Sequence, residues 1–147
     1  MGEEEEDRIS AAMARALEQE ERDVEAIERE FGRLTVFEAA ARMRHSDNLG
    51  LVASLRRRGR LLAYRRRGQD TWWYPPFQYA ENGGVLSVIP KLLEVAAAGR
   101  VDPMDLTFWL CSPTGMLEDD ARPVDLLRSH PDAVLEAAQY DLGEHVW

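Results

Sequence analysis

Arginine is the residue type whose numbers and spacing most clearly point to chemistry in this sequence. Residues 33–68 hold 10 arginines and two acidic residues, for a net charge of +8, whereas residues 1–32 carry −8 and residues 69–147 carry −9. Guanidinium groups donate hydrogen bonds to phosphate oxygens and to guanine edges, so this local cluster favours nucleic-acid binding even in an acidic protein. The cluster consists of Arg56, Arg57, Arg58, Arg60, Arg65, Arg66 and Arg67. The alternative is that the acidic segments neutralise these arginines within the molecule.

Two short helices are predicted ahead of the cluster. Thr35 and Glu38 form a Thr-x-x-Glu capping box that predicts the start of the first helix. A polar turn follows, and Ser46 or Asp47 can cap a second helix that ends at Gly59. The first four arginines of the cluster lie at the end of this second helix. In helix-turn-helix proteins the second helix enters the major groove, so these arginines are candidate DNA contacts.

A β-hairpin is predicted directly after the second helix. Residues 61–66 and 71–74 are two short runs rich in apolar and aromatic residues, joined by the turn residues 67–70. Two prolines, Pro75 and Pro76, end the second run because proline cannot donate to a β-ladder. The last three arginines of the cluster lie at the hairpin tip. The two helices and the hairpin together predict a winged helix-turn-helix domain, in which the wing contacts the DNA backbone or the minor groove.

An aromatic cluster overlaps the second half of this hairpin. It consists of Trp72, Trp73, Tyr74, Phe77 and Tyr79. Aromatic rings can stack on bases, as they do in single-strand binding proteins. A small winged domain has few other large apolar residues, so we expect these rings to form its core instead.

An amphipathic helix is predicted from Arg8 to Phe31, where apolar residues recur at spacings of three and four with no glycine or proline between them. The acidic stretch that precedes it, Glu3 to Asp7, is predicted to be disordered. Two roles for the helix remain open. It could pack on its own domain, or it could be a dimerisation arm, which would make the protein a homodimer.

The pattern after residues 82–84 is helical to the end of the chain. Helix starts are indicated by Ser87, by Asp102 with Pro103, by Pro123 and by Pro131. Four helices in such a short segment predict a compact four-helix bundle. The sequence therefore predicts a mainly α protein with three parts: an acidic tail and helix in 1–32, the winged helix-turn-helix with its one β-hairpin in 33–80, and the helical bundle in 85–147.

Residues that could support catalysis are scattered. His45, His130 and His145 have no partner at the spacing of a triad or metal site, and Cys111 lies on an apolar helix end, where a cysteine is typically a small core residue. The acidic run at 118–120 has no glycine-containing loop of the EF-hand kind. No GxGxxG or P-loop is present, and no apolar run has the length of a membrane span. We therefore expect a cytoplasmic protein that is not an enzyme and has no cofactor, metal site or membrane contact.

The C-terminal segment resembles a known family. Residues 106–127 read LTFWLCSPTGMLEDDARPVDLL, and residues 74–78 read YPPFQ. The first stretch resembles the toxin-binding domain of the Xre/MbcA/ParS antitoxins, and the second is similar to the linker of members with an N-terminal DNA-binding part. The matching positions are Trp109, Leu110, Pro113, Leu117, Arg122, Pro123, Asp125, Leu126, Leu127 and Val134. The family usually has glycine in the loop before Arg-Pro, where this chain has residues 118–121.

The resemblance implies an antitoxin of a type II toxin–antitoxin system. Such a protein blocks a RES-domain toxin, which consumes NAD, and represses its own operon by binding operator DNA. We expect the toxin contact at Arg122, Asp125, Tyr140 and Trp147, because an exposed Trp is a typical anchor in a partner's pocket. The alternative function is a MerR-like or excisionase-like transcription regulator that has no toxin partner.

Overall fold

The computed structural model describes residues 2–44 and 48–144, and the protein is mainly helical. The helices in these residues are α1 (Glu3–Phe31), α2 (Val36–Arg42), α3 (Leu49–Arg57), α4 (Val88–Ala98), α5 (Pro103–Leu110), α6 (Pro123–Leu126) and α7 (Pro131–Asp141). Single 3-10 turns lie at Pro76–Gln78 and Glu118–Asp120. Within the described residues, the helices are all too short or too polar to cross a membrane.

Helix α1 begins earlier than the sequence pattern indicates. It starts at Glu3 rather than Arg8, so the prediction that the acidic start is disordered is wrong. Four consecutive glutamates, Glu3 to Glu6, occupy the first turn. The unpaired N–H groups of that turn carry a partial positive charge, which the carboxylates stabilise.

The caps of α2 and α3 differ in how well the sequence predicts them. The capping box of α2 is confirmed, since the Glu38 amide donates to Thr35 Oγ1 and the Thr35 amide donates to Glu38 Oε1, both at 3.1 Å. The cap of α3 is Asn48, whose Oδ1 accepts from the Leu51 amide at 2.9 Å. Asn48 stands immediately before the helix, which is the position an N-cap requires. The predicted caps Ser46 and Asp47 lie outside the described residues.

The predicted hairpin is present as isolated antiparallel bridges, and the described residues contain no extended strand. Tyr64 and Trp73 exchange two backbone hydrogen bonds of 2.9 and 2.8 Å, and Tyr74 exchanges two more, of 2.9 and 3.0 Å, with Leu34. The segment around Trp73 is therefore central, between the segment before α2 and the segment after α3.

The side chain of Gln78 explains why the hairpin ladder does not extend. In the register of the Tyr64 bridge, Leu62 would pair with Pro75, which has no N–H group to donate. Gln78 takes that place: its Oε1 accepts from the Leu62 amide at 2.8 Å, and its Nε2 donates to the Leu62 carbonyl at 2.8 Å. Gln78 is fully buried, so these bonds satisfy backbone groups that have no access to water.

Two clusters of buried apolar side chains form the core. The first lies among the four C-terminal helices and includes Leu62, Phe77, Val88, Ile89, Leu92, Ala96, Leu106, Leu110, Val124, Leu127, Val134 and Ala138. The second lies under α2 and α3 and includes Ala39, Ala40, Val52, Leu61, Ala63, Tyr74 and Tyr79. Phe31 at the end of α1 packs against the first cluster, with its ring edge-on to Phe77. The N-terminal segments are therefore packed directly on the C-terminal helices.

A tight turn separates the two clusters at residues 80–84. The Ala80 amide donates to the Gly84 carbonyl at 2.7 Å, and Tyr79 and Val85 form an antiparallel bridge across the turn. Gly83 has a φ of 89°, and a side chain there would collide with the Arg42 carbonyl oxygen. The end of α2 therefore packs directly on this turn.

Candidate functional site

Three exposed arginines of the predicted set lie at the end of α3. Helix α3 buries Val52 against Ala39 and Ala40 of α2, and it leaves Arg57 exposed at its last turn. Arg58 follows as the C-cap residue, and Gly59, with a φ of 70°, turns the chain toward the exposed Arg60. Within residues 2–44 and 48–144, no acidic side chain forms an ion pair with Arg57, Arg58 or Arg60. Their guanidinium groups are thus available to an external anion. We call these three residues the α3 arginines.

Two further arginines of the predicted set cover a tryptophan. The guanidinium carbons of Arg56 and Arg65 lie 4.1 and 4.5 Å from the ring centre of Trp72. At these distances the cations are attracted to the electron-rich ring face. Arg33 does the same at Trp73, at 3.7 Å. Arg56 and Arg65 therefore already have an intramolecular role.

The last two arginines of the predicted set face the acidic helix α1. Arg67 donates two hydrogen bonds to Glu20 Oε2, at 3.2 and 3.0 Å. Arg66 lies within 3.6 to 3.7 Å of carboxylate oxygens of Glu21, Glu25 and Glu28. We call Arg66 and Arg67 the hairpin arginines. Unlike the α3 arginines, they are neutralised within the molecule.

Glu28 is the centre of this contact. Its side chain is 11% exposed, and its Oε2 accepts hydrogen bonds of 2.9 Å from the Tyr64 hydroxyl and from Arg33. Burial, together with the charge and the hydrogen bond of Glu28, raises the pKa of Tyr64 above its ordinary value. Glu28 therefore fixes α1 to the base of the hairpin through three different side chains.

The aromatic cluster is divided between core and covered surface. Tyr74, Phe77 and Tyr79 are buried, while Trp72 and Trp73 are partly buried under the arginines described above. Burial raises the pKa of Tyr79, whose hydroxyl has no hydrogen-bond partner in the part of the chain that the structure describes. The rings are thus placed for packing and not as a free stacking platform.

Arg122 and Asp125, two of the expected toxin contacts, belong to an ion-pair network within the molecule. Arg122 donates hydrogen bonds to both carboxylate oxygens of Glu30, at 2.9 and 2.8 Å, and to both oxygens of Asp125, at 2.9 and 3.1 Å. The hydrogen bond from Arg122 lowers the pKa of Glu30, and the bonds to Glu30 and Asp125 raise the pKa of Arg122. The network ties the end of α1 to the start of α6. Tyr140 is exposed on α7, and Trp147 lies outside the described residues.

The loop in which this chain departs from the antitoxin pattern has the backbone shape that glycine prefers. Asp119 and Asp120 have φ values of 58° and 52°, in the left-handed region. Aspartate tolerates this region better than most residues. The loop thus adopts a glycine-like conformation although this chain has aspartate there.

Asp141 on α7 accepts hydrogen bonds from the end of α5 and from the segment that leads to this loop, although the sequence pattern does not single it out. Its Oδ2 accepts from Trp109 Nε1 at 2.8 Å and from Thr114 Oγ1 at 2.7 Å. Glu28 and Gln78 likewise carry no signal in the sequence that identifies their roles. Glutamates at 21, 25 and 28 follow a helical spacing that indicates one acidic face, but nothing in the sequence identifies its partner.

In the described part of the chain, no cluster of three or more histidine, cysteine or acidic side chains could hold a metal ion. Burial raises the pKa of the Cys111 thiol to about 12, so a reactive thiolate is disfavoured at neutral pH.

Comparison with models of known protein families and with curated proteins gives no match. Among solved structures, the chain is similar to the NMR structure of Rv2175c, with a TM-score of 0.63 and 26% sequence identity. The similarity covers 75% of this chain and 80% of that chain. The two proteins therefore share most of their architecture. No matched protein bears the name of the Xre/MbcA/ParS family.

Proposed function

We propose that this protein is a DNA-binding regulator that contacts DNA through the α3 arginines. The observation that carries the proposal is the exposure of Arg57, Arg58 and Arg60 at one helix end, with no acidic partner among the described residues. Each guanidinium can bind a phosphate or the O6 and N7 edge of guanine. A local positive charge of this kind attracts DNA although the whole chain has a net charge of −9.

The order of the elements supports a winged helix-turn-helix assignment. The chain runs through α1, the Leu34 bridge, α2, α3, and then the Tyr64 and Trp73 bridges. In this assignment α3 is the recognition helix, and the hairpin around residue 68 is the wing. The exposed positions of α3 include Gly50 as well as Arg57, so one face of the helix is open to a groove. The hairpin arginines contribute less to DNA binding than their number predicts, because α1 already holds them.

A second function, toxin neutralisation, rests on the antitoxin-like sequence of the C-terminal helices, which we propose form a four-helix bundle. Several positions that match the antitoxin sequence have structural roles in these helices. Leu110, Leu127 and Val134 are buried, and Trp109 donates a hydrogen bond to Asp141. These positions favour a toxin-binding-like domain without identifying its contact surface. In this proposal the chain is a non-enzymatic antitoxin, its partner is a RES-domain toxin, and operator binding provides autoregulation. The exposed Tyr140 is a candidate toxin contact.

DNA binding is tested by measuring the affinity of the full chain for a duplex at several salt concentrations. Each phosphate contact contributes about 0.9 to the slope of log affinity against log salt. Arg57→Ala combined with Arg58→Ala should weaken binding and reduce the slope by roughly 2. The control pair, Arg8→Ala with Arg15→Ala, removes the same charge from exposed positions on α1 and should leave the slope nearly unchanged. Equal losses in both pairs would indicate an effect of total charge alone and would contradict the proposal.

Toxin neutralisation needs a separate test. The chain is co-expressed with the product of the adjacent gene, and complex formation and cellular NAD are measured. A stable complex that protects NAD supports the antitoxin function. DNA binding without any complex would instead favour the MerR-like or excisionase-like regulator.

A further inference from the structure

A groove lies between the end of α3 and one face of α4, with a volume of about 620 Å³. One wall is formed by residues 58–60, and the other by the side of α4 that carries Lys91 and Glu94, together with the cap residue Ser87. Spacings of four and three residues place these last three on one face of the helix. All of the residues named here are exposed, so the groove is open to solvent along both walls. We call it the α4 groove.

The walls of the α4 groove are basic. Arg58, Arg60 and Lys91 bring three positive charges to it, and Glu94 is the one acid among the described residues that line it, which leaves a net charge of +2. Throughout residues 2–44 and 48–144, no side chain forms an ion pair or a hydrogen bond with these three cations, and Glu94 does not pair with them either. Their charge is therefore directed at solvent, where it attracts anions.

Lys91 joins this surface from a distant part of the sequence. It is the only lysine in the chain, and residues 68–90 contain no lysine or arginine. The fold nevertheless places it across the α4 groove from Arg58 and Arg60. A lysine ammonium binds phosphate oxygens as a point charge on a flexible stem, without the planar two-bond geometry of arginine. Lys91 is therefore suited to the backbone of a nucleic acid rather than to the edge of a base.

We propose that the α4 groove binds a phosphate strand of DNA, so that Lys91 of the C-terminal helices contacts the same duplex as the α3 arginines. Arg58 and Arg60 belong both to the α4 groove and to the proposed DNA surface, and this continuity selects DNA as the occupant. Phosphate contacts of this kind fix the position and orientation of a protein on the duplex. The inference rests on the proposed function, because it takes DNA at α3 as given and adds a contact from a second part of the fold.

Glu94 limits the affinity of the α4 groove. It lies three residues after Lys91 on the same face of α4, where its carboxylate repels a phosphate. The two residues therefore carry opposite expectations: neutralising Lys91 weakens DNA binding, whereas neutralising Glu94 strengthens it. Damage to the fold does not produce tighter binding, so the Glu94 variant distinguishes a contact with DNA from a loss of structure.

The first experiment measures the affinity of the full chain for two duplexes of unrelated sequence at several salt concentrations. Lys91→Ala should weaken binding to both duplexes by a similar factor, roughly 3- to 5-fold at low salt, and should reduce the salt slope by about 0.9. Lys91→Arg keeps the charge and should bind as the wild type does. Glu94→Gln should strengthen binding by about twofold. Arg15→Ala is the matched control: it removes one positive charge from an exposed position on α1 and should leave the slope nearly unchanged.

The outcomes separate this inference from the proposed function. If Arg57→Ala with Arg58→Ala reduces the salt slope while Lys91→Ala behaves like Arg15→Ala, the α3 arginines bind DNA and the α4 groove does not. Weaker binding of Lys91→Ala to one duplex alone would indicate a base contact and would contradict the assignment to phosphate. A wild type that binds neither duplex contradicts both proposals.

Amine labelling tests the contact directly, because Lys91 is the only lysine. The full chain is treated with an amine-specific reagent alone, with saturating duplex, and with inorganic phosphate at the same phosphate concentration. The modification of Lys91 is then measured by mass spectrometry. Duplex should slow the modification several-fold, and inorganic phosphate should leave it unchanged. Equal protection by inorganic phosphate would indicate a site for small anions, and an unchanged rate at saturating duplex would show that Lys91 does not contact DNA; either result would overturn the proposal.

Discussion

The α3 arginines and the hairpin arginines are close in sequence and identical in chemistry, but their surroundings differ. Arg66 and Arg67 face the carboxylates of α1, with Arg67 bonded to Glu20 at 3.0 Å. Arg57 and Arg58 lie beyond the reach of that helix, and no described acidic side chain pairs with them. The comparison shows that a high density of arginine in a sequence does not by itself define a nucleic-acid interface. What matters is which of the arginines the fold leaves without an internal anion.

The largest effect on stability is expected from removing Glu28, whose carboxylate connects α1 to the hairpin. Glu28→Ala removes the acceptor of the Tyr64 hydroxyl and of Arg33, and it leaves the buried Tyr64 without that acceptor. Hydrogen bonds to charged groups contribute about 1.5–3 kcal/mol, so we expect a loss of about 2–3 kcal/mol in the free energy of unfolding, measured by urea denaturation. Glu18→Ala, at an exposed position of the same helix, is the control and should change stability by less than about 0.5 kcal/mol. Equal losses in the two variants would show that the contacts of Glu28 are not responsible.

The same contact should appear in the alkaline pH dependence of stability. The pKa of Tyr64 is raised above its ordinary value of 10.0, so its proton is lost at lower pH in the unfolded chain than in the folded one. The stabilisation is therefore complete below pH 10 and decreases as the pH rises further, by up to about 1.4 kcal/mol per pH unit. Tyr79, whose pKa is also raised, adds to this slope. Tyr64→Phe should remove only the contribution of Tyr64 to the slope of stability against pH. An unchanged slope would show that other groups cause the alkaline loss of stability.

The sequence predicted the local elements better than the contacts between them. The capping box at Thr35, the cap at Asp102 and the proline-started helices are confirmed, because each depends on residues within one turn. The hairpin is predicted in position but not in length. The reason is the side chain of Gln78, which replaces a backbone partner for Leu62. A contact of that kind depends on tertiary packing and leaves no periodic signal in the sequence.

At the candidate site, too, the sequence predicts the local elements but not the contacts between them. The sequence indicates an arginine cluster and an acidic helix, and it leaves open whether the two neutralise each other. The structure answers this residue by residue: Arg66 and Arg67 are paired with α1, Arg56 and Arg65 cover Trp72, and the α3 arginines stay exposed. The ion pairs with α1 join residues between 38 positions (Glu28 to Arg66) and 47 positions (Glu20 to Arg67) apart, so no local pattern could have identified them. Whether the exposed group binds DNA stays a prediction.

A smaller loss of stability is expected when one of the hairpin arginines is removed. Arg66 is 19% exposed and lies near three carboxylates at 3.6 to 3.7 Å, whereas Arg67 is largely exposed. Arg66→Ala should lower the free energy of unfolding by about 1 kcal/mol, since partly buried charges gain more from a partner than exposed ones do. Arg67→Ala should cost less than about 0.5 kcal/mol. The reverse order would show that the short hydrogen bonds of Arg67 matter more than the burial of Arg66.

The smallest effect on stability is expected at the α3 arginines. Arg57→Ala with Arg58→Ala removes two exposed side chains that pair with no described acid, so the free energy of unfolding should change by less than about 0.5 kcal/mol. Relief of repulsion between neighbouring cations could make the change slightly favourable. Thermal unfolding of this variant beside Arg66→Ala, in low and high salt, measures the difference. A loss above about 1 kcal/mol in the Arg57 and Arg58 variant would show that these arginines are structural. Unchanged stability together with lost DNA affinity would show that Arg57 and Arg58 act in DNA binding and not in stabilising the fold.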